Sequence, residues 1–487
     1  MKLSRRNLLL AASAGGAAST LALGDSAAAQ GNTGHEGHVM PGAEAVKPVP
    51  SQSSSSARRS TSYQPVRTLN GWTLPYKMKG GVKEFHLVAE EFEHEFAPGC
   101  KAKVWGYNGS TPGPTIEVVE GDRVRLLVTN RLKEHTTMHW HGFILPSGMD
   151  GVGGLSQPHI MPGETFAYEF TIRQHGTHMY HPHADEMVQM ALGMMGMFIM
   201  HPRGGEVVRI DRDYCILLHN WALHPGTYRP DPAIMQDFDL WTFNSKVFPA
   251  IESIVARTGE RVRIRVGNLS MWNHPIHLHG VEYFVTGSDG GRWRQELWRR
   301  EVTEIVAVGQ TRDIEFIAVP GDWALHCHMS HHTMNAMGHD IPNNVGVDQT
   351  DLQEEIRAML PGYMAMGQNG MAEHQDHTQM GHMKGPENTL PMMTGKGPFG
   401  NIEMGGMFTV VKVRDNLARG DYRDPGWYKN PPGTVARRVS ADPNYGEPVR
   451  RPGAGASAVP APTEPAPMDH SQMDHSKMDH SSIKPKE

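Results

Sequence analysis

The chain repeats itself, and the repeat limits its fold more than any other feature. GDRVRLLVTN (Gly121 to Asn130) returns 138 residues later as GERVRIRVGN (Gly259 to Asn268), and at that same offset HWHG (His139 to Gly142) falls on HLHG (His277 to Gly280). PGETFAYEF (Pro162 to Phe170) resembles VGQTRDIEF (Val308 to Phe316) at an offset of 146, and GTHMYHPH (Gly176 to His183) falls on GDWALHCH (Gly321 to His328) at 145. Offsets that drift so little mean one domain present twice. The repeated segments alternate apolar and polar residues and are separated by Gly, Pro and Asn turns, so they read as strands. Neither copy contains a long helical pattern. The expected fold class is all-β, with each copy a Greek-key β-sandwich.

The first copy spans residues 82–203 and the second 206–415. GMMGMFIM (Gly193 to Met200), which closes the first copy, matches GGMFTVVKV (Gly405 to Val413) only when the offset jumps to 210. An insertion at about residues 339–400 accounts for the jump. It holds a short helical stretch, DLQEEIRAML, and then the Met/His-rich MAMGQNGMAEHQDHTQMGHM. Residues 1–29 carry SRRNLLL and an AAAQ cleavage site, the pattern of a twin-arginine export signal, so the mature protein is expected in the periplasm. The apolar run is shorter than the ~20 residues a membrane span needs and is broken by Gly15 and Gly16, so no membrane partner is expected. Residues 30–81 read as a linker. Residues 416–487 read as a Pro-rich tail ending in MDHS repeats. Both termini are expected to be disordered, the tail because it is too polar to bury a core.

The formal charge of −6 and the lack of a long basic run argue against nucleic acid as a partner. More informative are 29 His, 31 Met and three Cys. In an oxidising compartment Cys100 and Cys215 form either a disulfide or two lone buried thiols. Cys327 is then left over, and an odd cysteine needs a reason.

The histidines supply one. They fall in four clusters: His139-Trp-His141, His181-Pro-His183, His274-Pro-Ile-His277-Leu-His279, and His326-Cys327-His328 followed by His332. One H-x-H on a strand is weak evidence, since alternate residues simply share a face. Clusters that recur at matching places in a duplicated domain point to eight paired metal ligands converging at a seam between domains. One asymmetry between the copies is informative: Pro182 in the first aligns with Cys327 in the second. A thiolate, two imidazoles and a weak axial thioether make a blue-copper electron-transfer site. Cys327, His332 and His274 supply the first three. Met337, five residues past His332, is the preferred fourth, and Met404, which opens the displaced last strand, is its rival.

These motifs, HWHG, H-x-H, HPxHxHG and HCHx3Hx4M, resemble the four signatures of the multicopper oxidases, in family order across roughly residues 82–415. The resemblance implies two cupredoxin-like domains and four copper ions per functional unit. It implies type 1 copper on His274, Cys327, His332 and Met337. Type 2 copper would take His139 and His277, and the type 3 pair His141, His181, His183, His279, His326 and His328. It further implies one-electron oxidation of a small reducing substrate and four-electron reduction of O2 to water, with Asp150 as a proton relay. Some relatives carry a carboxylate directly after the second type 1 histidine; here that residue is Thr333. Only 91 residues separate His183 from His274, which leaves no room for a middle domain. The chain is in this respect similar to two-domain members, for which a homotrimer is implied, with domain 1 ligands meeting domain 2 of a neighbour.

The Met- and His-rich insertion, the MDHS tail and HEGHVM (His35 to Met40) have a composition suited to Cu(I). They tilt the expected substrate toward Cu(I) and the role toward copper tolerance, with phenol oxidation alongside. The alternatives are a copper nitrite reductase and a copper-binding buffer protein.

Overall fold

The computed structural model describes residues 63–224, 226–335 and 395–437, with six further positions between 351 and 390. It is almost entirely β, in two sandwiches. The first packs a sheet built on Val82–Ala97, Arg123–Asn130 and Thr165–Thr171 against a sheet ordered Gly113–Val119, Gly196–His201, Gly176–His181, His139–His141. The second repeats the plan, its site-bearing sheet running Ile254–Arg257, Phe408–Arg414, Gly321–Cys327, His274–Leu278, Thr303–Val306. The displaced match therefore occupies the predicted place: Phe408–Arg414 pairs antiparallel with Gly321–Cys327, with Leu325 opposite Thr409.

Alternation produces these strands. In Arg123–Asn130 the side chains of Val124, Leu126 and Val128 are buried, while Arg123, Arg125 and Leu127 face outward. The second copy shows the same period with a different outcome. Arg263 and Arg265 are buried on the polar face, bound to Asp213 and flanked by Glu206. The first sandwich covers them: Arg265 Nη1 donates to Thr177 Oγ1 at 2.8 Å, and Thr177 Oγ1 donates to Asp313 at 2.6 Å. The chain must be bare here, because a Cβ on Gly176 would sit 1.3 Å from the Gly290 carbonyl oxygen.

An apolar cluster completes the seam. Cys100, Ala102, Val104, Met179, Met195 and Met197 pack with Cys215, Leu217, Trp221 and Leu269 of the second sandwich. Both Cys100 and Cys215 are free thiols in this cluster, so the disulfide alternative is not realised.

Two expectations about the ends need correction. Residues 63–81 are part of the fold, not linker. Arg67–Thr68 pairs with the strand Arg212–Trp221, and Val66, Leu69 and Leu74 each enter a different core cluster. The spacing of three apolar residues over a Ser-poor stretch was the available signal. The tail likewise begins docked: Lys412 Nζ bonds Asp424 at 2.8 Å, Tyr428 N–H donates to Asp322, and Arg212 Nη1 donates to the Asp421 carbonyl. In the insertion, Asp351, Glu354, Glu355 and Ala358 are helical as expected. Met337, the Met/His-rich segment, His35 to Met40, the signal segment and the MDHS repeats lie outside the described residues. Among the described residues no helix is long and apolar enough to cross a membrane.

Candidate metal centre

Strand alternation sorts the histidines into an inward group and outward sets. On His274–Leu278, His274, Ile276 and Leu278 point into the sandwich core, and His277 points out. On Gly321–Cys327, Cys327 points in and His326 out, with Ile276 opposite Cys327 and His277 opposite His326. A residue and its neighbour on a strand face opposite sides.

The inward group is His274, Cys327 and His332, each fully buried. The Nδ1 atoms of His274 and His332 stand 3.1 Å apart, and Cys327 Sγ lies 3.6 Å and 3.3 Å from them. Two imidazole nitrogens and one sulfur thus converge on a single point, a donor set that suits a soft ion such as copper. Burial holds His274 at about 3, keeping the imidazole in its metal-binding neutral form. Burial also pushes the Cys327 thiol up to about 12. A metal must therefore displace a proton from this sulfur. Trp241, buried, stacks on His332 with ring centroids 3.6 Å apart. The segment bearing Met404 runs alongside: Met407 N–H donates to the His332 carbonyl, Gly405 N–H to that of Thr333, and Met404 packs against the core cluster that includes Cys327.

The outward histidines form two sets. In the first sandwich, His139 and His141 flank buried Trp140, with His139 opposite His181 across the strands. His141 Nδ1 and His181 Nε2 stand 3.2 Å apart, and the His183 ring lies 5.5 Å from that of His139. In the second, His279 Nε2 and His326 Nε2 stand 3.1 Å apart, and the His277 and His328 rings are 5.5 Å apart. Backbone carbonyls decide which nitrogen is free. A carbonyl only accepts, so a ring nitrogen bound to one carries the proton. Nδ1 of His139, His181, His277 and His326 donates to the carbonyls of Asp150, Pro182, Val302 and Cys327 at 2.7–2.9 Å. Nε2 is left bare in all four, the arrangement metal-ligating histidines use. Burial holds His181 at about 3 and lowers His141, His279 and His326.

Among the described residues, ring contacts join histidines within each set and none joins the two sets. The first set instead opens on a cavity of about 590 Å³, shared with Glu186, Met190, His219, Phe238 and Ser270. Asp150 lies beside it, Oδ1 3.5 Å from His139 Nδ1. Sequence reasoning missed Trp241, His219, Ser270 and Glu186. Glu186, three residues past His183, reaches within 3.6 Å of His181 and 3.9 Å of His183. None of the four belongs to a motif. Only comparison of the two copies could have flagged Ser270.

Two family models, each described as multicopper oxidase, match residues 89–205 and 226–346. Copper resistance protein A of Escherichia coli is 44% identical over 124 residues, covering 26% of this chain and 20% of that protein. A probable nitrite reductase-hydroxylamine oxidoreductase fusion protein of Kuenenia stuttgartiensis is 27% identical over 292 residues, 56% of this chain and 32% of that one. This chain thus spans between a fifth and a third of the length of these two relatives. The blue copper oxidase from Nitrosomonas europaea superposes with a TM-score of 0.50 at 25% identity, over 68% of this chain and 85% of that one. With two matched family domains in tandem and a histidine–cysteine geometry of this kind, the chain belongs to the multicopper oxidase family.

Proposed function

We propose that the protein takes electrons singly from a small reducing substrate, Cu(I) or a phenol, and delivers four of them to O2 to form water. The observation that carries this reading is the split within one strand: Cys327 belongs to the inward group and His326, the next residue, to an outward set. In this reading His274, Cys327, His332 and Met337 hold type 1 copper, with Met404 as the rival fourth ligand. His139 and His277 hold type 2 copper, and His141, His181, His183, His279, His326 and His328 hold the type 3 pair. Copper, when bound, supplies the one-electron steps and the O2 chemistry.

The chain's own groups do the rest. Burial of the inward group keeps water from Cys327. The backbone between Cys327 and its flanking histidines gives electrons a short covalent route from one group to the other. The four carbonyl contacts hold Nε2 of the outward histidines aimed at metal. Asp150, beside His139, is placed to hand on protons.

In this reading each outward set is half of an eight-ligand site, and among the described residues no ring contact joins the two. This separation supports a homotrimer in which the His139 set of one copy meets the His277 set of the next, since a head-to-tail contact must close into a ring. Sandwich boundaries at 82–203 and 206–415, twin-arginine export and a periplasmic role in copper tolerance complete the proposal. The similarity to copper resistance protein A supports that role.

Oxygen uptake by the copper-loaded protein tests the reading, with Cu(I) and a phenol compared before and after removal of residues 361–386. That deletion spares Asn388, whose side chain receives the Lys101 N–H. Uptake with Cu(I) that the deletion selectively lowers is expected. No uptake with either reductant, or turnover of nitrite instead, overturns it.

A further inference from the structure

His274 differs from His139, His181, His277 and His326 in which nitrogen its surroundings leave bare. Its Nδ1 faces His332 and Cys327, and its Nε2 lies 2.7 Å from Ser270 Oγ. A hydroxyl can donate or accept, so the direction depends on its other partners. Asn268 fixes them. Its Nδ2 donates to the carbonyls of Trp272 and Val306 at 2.8 and 2.9 Å, which turns Oδ1 toward Ser270. That oxygen accepts the Ser270 N–H at 2.9 Å and stands 2.7 Å from Ser270 Oγ. The Trp272 carbonyl lies 2.9 Å from the same hydroxyl. Both are acceptors only, so they take the single hydroxyl proton, and the lone pair of Oγ faces His274.

We propose that Ser270 is the positioning residue of the type 1 centre, accepting the Nε2–H of His274 and so keeping Nδ1 bare for the metal. The inference rests on the copper reading above. The duplication is its internal control. In the first copy Asn130 builds the same loop, with Nδ2 donating to the carbonyls of Glu134 and Ile160 and Oδ1 accepting the Leu132 N–H. At the 138-residue offset, Leu132 stands where Ser270 does, and Thr136 where His274 does. The loop therefore forms without the hydroxyl, which is present only where an imidazole must be held. Ser270 is 2% exposed.

The test uses the full chain loaded with copper, as parent, Ser270→Ala and Ser270→Thr. A chelator is titrated against the intense blue absorbance, and the type 1 reduction potential is recorded. Loss of an outer partner of this kind costs about 10–100-fold in metal affinity. Ser270→Ala is expected to lose the blue copper at ~10–100-fold lower chelator and to shift the potential. Ser270→Thr, which keeps the hydroxyl, holds the metal like the parent. Unchanged type 2 and type 3 signals report an intact fold. An unchanged chelator midpoint and potential in Ser270→Ala overturn the proposal, as does equal loss in both variants, which assigns the effect to packing. A parent without the blue band instead removes the copper reading itself.

Discussion

His326 and Cys327 are consecutive residues that fall in different candidate metal-binding groups. His326 Nε2 stands 3.1 Å from His279 Nε2 on the outer face of its sheet, and Cys327 Sγ stands 3.3 Å from His332 Nδ1 inside the sandwich. The pleat of one strand separates the two groups while the peptide between them joins them.

Replacing Cys327 with Ser is expected to abolish the blue absorbance and substrate-driven oxygen uptake, because a hydroxyl is a poor ligand for soft copper. Type 2 and type 3 signals should survive, since His326 and His328 remain. A blue band that persists in Cys327→Ser refutes the assignment.

The fourth ligand of the proposed type 1 copper is decided by Met337→Leu against Met404→Leu. The variant that removes it should shift the type 1 potential, since the axial ligand tunes it, and the other should leave it unmoved. A shift confined to Met404→Leu would reverse the preference for Met337.

Complementation probes the proposed trimer. A variant lacking His139 and His141, and one lacking His277 and His279, should each be inactive. Refolded together, they should regain part of the oxygen uptake, because some interfaces then pair an intact first set with an intact second. Mixtures as inactive as the separate variants argue for pairing within one chain.

Asp213 binds both Arg263 and Arg265 in the seam, with Arg265 Nε at 2.9 Å from Oδ1 and Arg263 Nη2 at 2.6 Å from Oδ2. Removing one member of a buried ion cluster leaves uncompensated charge and costs about 3–5 kcal/mol. Denaturant unfolding of Asp213→Ala should show a loss of that order. A loss below ~1 kcal/mol shows that the seam relaxes around the arginines.

Acid should destabilise the copper-free protein earlier than carboxylates alone would. Burial holds His274 and His181 at about 3 and His219, His178 and His94 at about 4. In the unfolded chain each titrates near ~6.5, so below that pH the unfolded state takes up protons the folded state refuses. Stability is then fully present above about 6.5 and falls as the pH drops toward 4. Urea midpoints measured from pH 7.5 to 4.5 should hold level down to about 6.5 and decline below it. A flat profile over that window contradicts the buried neutral histidines.

Much of this protein follows from local chemistry. Period-two alternation makes strands of RVRLLV and RVRIRV wherever they sit, and it forces His326 and Cys327 to opposite faces before any packing is known. The repeat offsets located the last strand at Phe408 to Arg414 across a long insertion. The pairing of four histidine clusters with one cysteine singled out residues that the fold gathers into three close groups.

Tertiary structure decided the rest. Alternation alone puts Arg263 and Arg265 in water, as it does Arg125, yet the first sandwich lies on them and turns a polar face into a buried ionic seam. Trp241 and Ser270 reach His332 and His274 only through packing and a loop hydrogen bond, neither of which leaves a spacing to read. Whether the two outward sets share ring contacts is likewise a matter of how one sandwich sits on the other, and among the described residues none joins them. Periodicity is a property of neighbours along the chain, whereas burial, ring stacking and the meeting of distant ligands depend on which surfaces come together in space.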